Sequence, residues 1–328
     1  MGRRAVIEGI GHAVPSKILT NAELEQWVDT TDEWITQRTG IRERRVCDDG
    51  DTCSSLSITA SYEALKVAEL DPADLDLVIC ATVTGDYHFP ATACLIQNAI
   101  GAKKAGAMDL GAGCAGFVYA AATATGFIES GQADNVLVVG VDVLSKITNW
   151  SDRSTCVLFG DGAGAVVMKS EENTDRGVMK TVLNADGSGG HFIILEAGGS
   201  LHPMPDPKSA DFNATIQMEG SAIYRFAVNA MGDACCNVLA QAGLDASQID
   251  VFIPHQANLR IINAAAERLG LPEEKVFKNV HKYGNTGAGS IPLALYEAEA
   301  AGLLQRGMTV MTVGFGAGLV WGANVIRW

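Results

Sequence analysis

One cysteine of the chain, Cys114, stands in a setting that favours nucleophilic chemistry. It lies among glycines in residues 109–117, and residues 118–124 have the composition of a strong helix. A strand, a glycine turn and a helix would place the sulfur at a helix N-terminus, where unpaired N–H groups and the helix dipole favour the thiolate. The pattern predicts a reactive thiol with a depressed pKa. The alternative is a buried structural cysteine in a tight turn.

Two residues later in the chain could assist this thiolate, which usually needs a base or a hydrogen-bond donor. His255 ends the apolar segment 251–254, and Asn285 lies in a glycine turn that we align with the turn of Cys114. Ligands of open α/β sheets collect beyond the carboxyl ends of the strands, so the three side chains are expected to share one pocket. The remaining histidines are interpreted as structural: His12, His88, His191, His202 and His281.

The elements that must position these residues alternate along the chain. Short β-branched segments such as 77–81 and 136–140 are separated by longer, alanine-rich helical segments such as 91–100. This alternation is typical of a buried, mostly parallel sheet covered by helices. The predicted fold class is α/β.

The chain also repeats itself at a nearly constant spacing. The pairs are 70–79 with 244–253 at an offset of 174, 113–116 with 284–287 at 171, and 139–140 with 313–314 at 174. They predict a duplication, with residues 1–170 carrying the cysteine and residues 171–328 carrying the histidine and the asparagine. Chance resemblance stays open, because buried strands are commonly rich in Val and Ile. Residues 186–207, rich in Gly and Pro, are interpreted as a long loop.

Composition excludes several classes of protein. The 328 residues are 48% hydrophobic and 19% charged, which excludes intrinsic disorder. The net charge of −14 provides no overall positive field for non-specific nucleic-acid binding. We see neither a secretory signal nor a segment near the roughly 18 apolar residues of a membrane span. We expect a soluble, cytoplasmic protein that binds neither nucleic acid nor membrane.

The eight cysteines include no C-x-x-C pair, which argues against a zinc ribbon or a thioredoxin-like redox pair. In a reducing cytosol most of them should be small buried side chains. We therefore expect no metal and no redox cofactor.

The chain resembles the β-ketoacyl-acyl carrier protein synthase III family, the initiating condensing enzymes of type II fatty-acid synthesis. The resemblance covers nearly the whole chain and rests on residues 29–35 and 38–41, the turn of Cys114, and residues 159–165, 255–261 and 284–286. It implies a thiolase-like fold in which two α/β halves form a layered αβαβα core. It also implies that Cys114 takes an acyl group from acyl-CoA, which is a substrate and not a cofactor. Malonyl-acyl carrier protein then loses CO₂, and the carbanion attacks the acyl-enzyme to give a 3-ketoacyl product.

The same resemblance implies the roles of the catalytic groups. Cys114 is the nucleophile, and His255 and Asn285 donate hydrogen bonds to the malonyl thioester oxygen as negative charge builds on it. The backbone N–H groups of Cys114 and Ala317 would hold the oxyanion of acyl transfer. Ala317 stands where the family usually has glycine, so a positive φ there would be strained.

The resemblance further implies where the substrates bind. Trp34 and Arg153 would sandwich the CoA adenine, Arg38 would meet the phosphates, and Asn258 would also contact CoA. Phe89 and Leu144 would line the acyl pocket, with Phe89 reaching across the interface of a homodimer. The residues expected to bind the acidic carrier protein are Gln256, Arg260 and Arg225, with Arg268 nearby. Glu267 stands where a second basic residue is expected.

Other functions stay open at this point. A thiolase-type degradative enzyme usually needs a further cysteine as base, and Asn285 stands against it. A related acyltransferase of secondary metabolism would use another acceptor, such as an amine or a hydroxyl. A non-catalytic CoA-binding scaffold would need neither His255 nor Asn285. The preferred acyl primer depends on the depth of the pocket.

Overall fold

The computed structural model describes residues 2–203 and 214–328. Its strands are β1 (Arg3–Ala13), β2 (Ile18–Thr20), β3 (Glu43–Arg45), β4 (Leu77–Ala81), β5 (Gly106–Leu110), β6 (Asn135–Val143), β7 (Asp161–Glu172), β8 (Gly177–Ala185), β9 (Ile193–Ile194), β10 (Gln217–Met218), β11 (Val251–Pro254), β12 (Thr309–Gly316) and β13 (Val320–Arg327). Its helices are α1 (Asn21–Leu24), α2 (Asp32–Thr39), α3 (Cys53–Val67), α4 (Thr92–Ile100), α5 (Gly116–Glu129), α6 (Arg153–Cys156), α7 (Gly220–Ala242), α8 (Leu259–Arg268), α9 (Val280–Tyr283) and α10 (Ser290–Ala300).

Two mixed sheets form the frame of the molecule. The first has the strand order β1-β7-β6-β4-β5, and β4 runs parallel to both β5 and β6. The second has the order β8-β13-β12-β11, and β11 runs parallel to β12. A parallel bridge between Phe252 and Val276 extends the second sheet past β11, on the side where β5 stands in the first sheet. The two sheets therefore share one topology.

Helices fill the space between the sheets and cover their outer faces. α5 packs on β1 and β6 of one sheet and on β12 and β13 of the other, and α10 packs between them on β1, β7 and β11. α3 and α4 cover the outer face of the first sheet, and α7 with α8 covers that of the second. The layers confirm the predicted α/β fold with an αβαβα core.

Strand β4 shows why the buried strands are continuously apolar. Val78 and Cys80 enter the core under α3 and α4, whereas Ile79 and Ala81 enter the core around α5. Since successive side chains of a strand point to opposite faces, both faces must be apolar when helices cover both.

Equivalent elements of the two sheets recur at an offset of 174. β6 begins at Asn135 and β12 at Thr309, and the 3₁₀ turns Gly113–Ala115 and Gly287–Gly289 lead directly into α5 and α10. Gly113 (φ 49°) and Gly287 (φ 57°) take the same left-handed conformation. The alignment of Asn285 with Cys114 is therefore wrong, because the counterpart of Cys114 is Ala288. A four-residue glycine motif is too degenerate to fix a register that the backbone conformation decides.

Two further expectations about the chain's organisation differ from the structure. The predicted boundary after residue 170 falls inside β7, which still pairs with β1. Residues 186–207, expected to be a loop, contain a 3₁₀ helix (Gly187–Phe192) and strand β9, which pairs with β10; residues 204–207 lie outside the described residues.

Two searches of the described residues complete the picture of the fold. No helix among residues 2–203 and 214–328 has the length and apolarity that crossing a membrane requires. In the same part of the chain, no three His, Cys, Asp or Glu side chains form a group that could hold a metal ion.

Candidate active site

The turn of Cys114 connects β5 to α5, as the sequence predicts. A Cβ on Gly113 would lie 2.7 Å from the backbone nitrogen of Ala317, so only glycine fits where the two backbones approach. Cys114 follows in the 3₁₀ turn and opens into a cavity of about 510 Å³, which also receives His255 and Asn285. The structure thus brings together the three side chains that the sequence singles out.

His255 lies directly after β11 and is almost wholly buried. Its backbone N–H donates to the carbonyl of Val313 (2.8 Å), and its ring meets Phe315 edge-on with the centroids 5.5 Å apart. Neither ring nitrogen has a hydrogen-bond partner among the described residues. Burial lowers the pKa of His255 to about 3, so the ring is neutral at physiological pH. A neutral imidazole with a free N–H can donate a hydrogen bond to a ligand in the cavity.

Asn285 is oriented by its own turn. Its Oδ1 accepts the N–H of Gly287 (2.9 Å). Two backbone hydrogen bonds of 2.9 Å hold it to the segment before β7: its N–H donates to the carbonyl of Leu158, and its carbonyl accepts the N–H of Gly160. Because Oδ1 already accepts the N–H of Gly287, the side-chain NH₂ group is the donor that Asn285 can offer in the cavity, and donation to the Cys114 sulfur lowers the pKa of that thiol. The cavity therefore presents two neutral donors beside the sulfur.

The prediction of a depressed thiol pKa is wrong in this structure. Burial raises the pKa of Cys114 to about 12; the negative charge of Asp142 adds to the rise, and the Asn285 hydrogen bond offsets part of it. Desolvation and the charge of Asp142 thus outweigh the hydrogen bonds from Asn285 and from the backbone N–H of Cys114. The local sequence shows neither burial nor Asp142.

The backbone around Ala317 forms the opposite wall of the Cys114 turn. A Cβ on Gly316 would lie 2.4 Å from the nitrogen of Cys114, so β12 and the turn are in direct backbone contact. Ala317 is not among the residues with positive φ, and Gly318 (φ 148°) takes the conformation that only glycine accommodates readily. The strain expected at Ala317 is therefore absent.

The residues expected to hold CoA gather at one side of the cavity. The guanidinium carbons of Arg38 and Arg153 lie 5.1 and 4.9 Å from the ring centroid of Trp34. Both distances are within the range of a cation–π interaction. Asn258 caps α8 by accepting the N–H of Arg260 (2.8 Å), and its Nδ2 donates to the carbonyl of Arg38 (3.1 Å). Asn258 thus also ties α2 to α8 at the cavity wall.

The basic residues expected to bind the carrier protein lie on α7 and α8. Arg225 and Arg260 are exposed and line the cavity, and the Arg260 guanidinium lies 5.2 Å from the ring centroid of Tyr224. Arg268 forms an ion pair with Asp233. Pairing neutralises Arg268, so the free positive charge at this edge is concentrated on Arg225 and Arg260.

The assignment of Gln256 to the carrier-protein surface is wrong. Its exposure is only 2%, and its side chain is fully engaged inside the protein. Nε2 donates to the carbonyls of Pro254 (2.8 Å) and Phe277 (3.2 Å), and Oε1 accepts the N–H groups of Asn279 (2.9 Å) and Val280 (3.1 Å). Gln256 joins β11 to the segment that leads into α9 and cannot reach a docking protein.

The two residues expected in the acyl pocket lie apart. Leu144 is buried against Phe159 and Ile216, behind the wall that Phe159 gives to the cavity. Phe89 does not line this cavity, and 87% of its surface is exposed. An apolar wall that the sequence did not reveal comes from Ile193 and Met218, which belong to the two-residue strands β9 and β10. Strands this short leave no periodic signal.

Comparisons with known proteins agree with this geometry. Family models described as 3-oxoacyl-[acyl-carrier-protein (ACP)] synthase III and its C-terminal part match residues 108–187 and 239–328. The β-ketoacyl-[acyl-carrier-protein] synthase III of Caldanaerobacter subterraneus subsp. tengcongensis is 50% identical over 99% of this chain and 98% of its own length. The chain belongs to the β-ketoacyl-acyl carrier protein synthase III family. A Listeria monocytogenes relative of the same name is likewise 50% identical, covering 99% of both chains.

Solved structures give the same result. The 3-oxoacyl-[acyl-carrier-protein] synthase III of Aquifex aeolicus superposes with a TM-score of 0.91 at 45% identity, covering 99% of this chain and 100% of the other. The synthase III from Thermus thermophilus gives a TM-score of 0.92 at 45% identity, covering 98% and 99%. The chain is thus a condensing acyltransferase that initiates fatty-acid synthesis.

Proposed function

We propose that the protein transfers an acyl group from acyl-CoA to Cys114 and then condenses it with malonyl-acyl carrier protein. The observation that carries the proposal is the convergence of Cys114, His255 and Asn285 on one cavity of about 510 Å³. The cavity has the volume of a small-molecule site, with apolar walls and a few convergent polar groups.

In the first half-reaction, the sulfur of Cys114 attacks the thioester carbonyl of acyl-CoA. The new S–C bond replaces the bond to CoA, and the thiol proton ends on the departing CoA sulfur. The oxyanion of the tetrahedral intermediate would lie against the N–H groups of Cys114 and Ala317. The N–H of Cys114 donates to no other residue in the described part of the chain, so it is free for this purpose.

In the second half-reaction, malonyl-acyl carrier protein loses CO₂. The electron pair of the broken C–C bond passes into an enolate, whose oxygen accepts hydrogen bonds from His255 and from the side-chain NH₂ of Asn285. The enolate carbon attacks the acyl group, and the sulfur of Cys114 leaves. Both donors are uncharged, so they stabilise the enolate without a carboxylate that could activate water. The cycle exchanges no electrons with an outside acceptor and requires no redox cofactor.

The two substrates would approach from the side of α2, α7 and α8. Trp34, Arg38 and Asn258 would contact CoA, and Arg153 would close over the adenine. Since an aromatic ring needs about 3.5 Å on each face, Arg153 must move outward from its 4.9 Å position to admit the adenine. Arg225 and Arg260 would meet the acidic carrier protein.

The protein would act as a cytoplasmic homodimer. Phe89 is 87% exposed in the single chain, which is unfavourable for so large an apolar side chain. A second copy that covered Phe89 would remove this surface from water and bring the ring to the partner's acyl pocket. Leu144, packed behind Phe159, would limit the depth of that pocket from within the chain.

A stepwise assay tests the proposal. His255→Ala should still load acetyl from labelled acetyl-CoA, whereas decarboxylation of malonyl-carrier protein should fall by roughly 10²–10³-fold because one enolate donor is lost. His281→Ala, an exposed histidine outside the cavity, is the control and should change neither step. Wild-type decarboxylation by His255→Ala would contradict the proposal. So would acyl transfer to amines or hydroxyls with no product from malonyl-carrier protein.

A further inference from the structure

The carboxylate of Asp142 is buried against the turn that follows Asn285. It sits near the end of β6 with no exposed surface. Its Oδ1 accepts hydrogen bonds from Val83 N–H (2.9 Å), Thr82 Oγ1 (3.1 Å) and Thr84 Oγ1 (2.9 Å). Its Oδ2 accepts the N–H of Ala288 (2.8 Å). No Lys or Arg among the described residues pairs with it, and burial raises its pKa to about 6, so it is mostly ionised at pH 7.

The offset of 174 gives this carboxylate a counterpart in the catalytic half. The residue equivalent to Asp142 is Gly316, and the residue equivalent to Ala288 is Cys114. A Cβ on Gly316 would lie 2.4 Å from the nitrogen of Cys114, and a Cβ on Gly287 would lie 2.1 Å from Oδ2 of Asp142. Each strand end therefore lies directly against its turn. At the second turn the carboxylate of Asp142 accepts the N–H of Ala288, whereas at the first turn Gly316 has no side chain and leaves the N–H of Cys114 open.

We propose that Asp142 is a positioning residue whose carboxylate fills the second-half counterpart of the oxyanion site and thereby holds the Asn285 turn against the nucleophile. The role rests on the proposed function of Cys114 and Asn285. It follows from two consecutive anchors: the N–H of Gly287 is bound by Asn285 Oδ1, and the N–H of Ala288 is bound by Asp142. Without the second anchor, the turn that orients the Asn285 amide is free to shift.

The charge of Asp142 also reaches the catalytic sulfur. Burial is the main cause of the raised pKa of Cys114, and the negative charge of Asp142 adds to the rise. Of the other titratable groups near these two residues, His255 after β11 is neutral. The pKa of Cys80 on β4 is raised by its hydrogen bond to Cys53, by burial, and by the negative charges of Asp109 and Asp142. Removing the charge of Asp142 should therefore favour the thiolate, even as it loosens the Asn285 turn.

The test is Asp142→Asn, compared with Asp161→Asn. Asp161 is a second buried carboxylate of the same sheet, held by Ser145 N–H (2.8 Å) and Cys47 N–H (2.7 Å), and its charge does not act on Cys114. Asp142→Asn should lower the midpoint of the pH profile for alkylation of Cys114 by iodoacetamide by about one unit, which makes alkylation at pH 7 about tenfold faster. Its condensation kcat should fall at least about tenfold. The NH₂ group of the new amide would face either the N–H of Ala288 or the three donors to Oδ1, and donor against donor forces one side to move.

Asp161→Asn should leave the alkylation midpoint unchanged. An alkylation profile of Asp142→Asn that matches the wild type, or a condensation kcat within twofold of it, would overturn the proposal. If Asp142→Asn does not fold, Thr84→Val removes one donor to Oδ1 and leaves the charge of Asp142 in place. The condensation kcat must then fall while the alkylation midpoint does not, and an unchanged kcat would overturn the proposal. Alkylation needs no substrate, so its outcome stands even if the proposed condensation is wrong.

Discussion

Gly316 is the position where the account is most sensitive to a single methyl group. The Cβ of Gly316→Ala would lie 2.4 Å from the nitrogen of Cys114, 3.0 Å from the carbonyl carbon of Gly113 and 3.1 Å from the nitrogen of Ala115. All three neighbours are backbone atoms, so no side chain can rotate away. Since such atoms need about 3.5 Å, the turn must retreat by about 1 Å.

The size of the effect follows from that retreat. Forcing a methyl group into a packed site costs about 1–3 kcal/mol of stability. A displacement of about 1 Å at a catalytic group costs roughly 10²-fold in rate. We therefore expect Gly316→Ala to load acyl groups from acyl-CoA roughly 10²-fold more slowly while remaining folded.

The assay is a single-turnover measurement of acyl transfer from labelled acetyl-CoA to Cys114, together with urea unfolding. Gly111→Ala is the matched control. Gly111 lies three residues before Cys114, has no positive φ, and has open space where a Cβ would be added. It should load at the wild-type rate. Loading by Gly316→Ala within about threefold of wild type would refute the assigned role of the Cys114 N–H, and unchanged stability would refute the tight backbone contact.

Five further predictions concern substrates, stability and pH. Arg260→Glu should raise KM for malonyl-carrier protein and leave loading from acyl-CoA unchanged, whereas Glu267→Lys should lower that KM; both are read from steady-state kinetics at two salt concentrations. Trp34→Ala should raise KM for acyl-CoA about tenfold through loss of ring stacking, with iodoacetamide alkylation unaffected. Gln256→Ala should lower the free energy of unfolding by about 2–4 kcal/mol, with KM for the carrier protein unchanged. Because the folded protein keeps His255 unprotonated down to about pH 3, the decarboxylation rate of Asp142→Asn, which lacks the carboxylate that titrates near pH 6, should show no limb near pH 6.5; such a limb would contradict burial of the ring.

Local sequence was sufficient for the elements that carry the catalytic groups. The turn of Cys114 between a strand and an alanine-rich helix, and His255 at the end of a buried strand, are both signalled by residues within a few positions. The continuously apolar sequence of strands such as β4 also indicates that helices cover both faces of the sheet. These features are determined by the pattern of residue types within a short stretch of the chain.

Features that depend on tertiary contacts were missed. The pKa of Cys114 is governed by burial and by Asp142, neither of which is visible in the turn itself. Gln256 looks polar and available in the sequence, but its hydrogen bonds to Phe277, Asn279 and Val280 close it inside the fold. The true register of the repeat became visible only when the backbone conformation of Gly287 could be compared with that of the first turn.

The most direct test of the central claim is to find where the acyl group is carried. After incubation with labelled acetyl-CoA, proteolysis and mass spectrometry should locate the label on Cys114 and on none of the other seven cysteines. Addition of malonyl-carrier protein should discharge it. A Cys114→Ser protein that is labelled as well as the wild type, or a label on a different residue, would contradict the account.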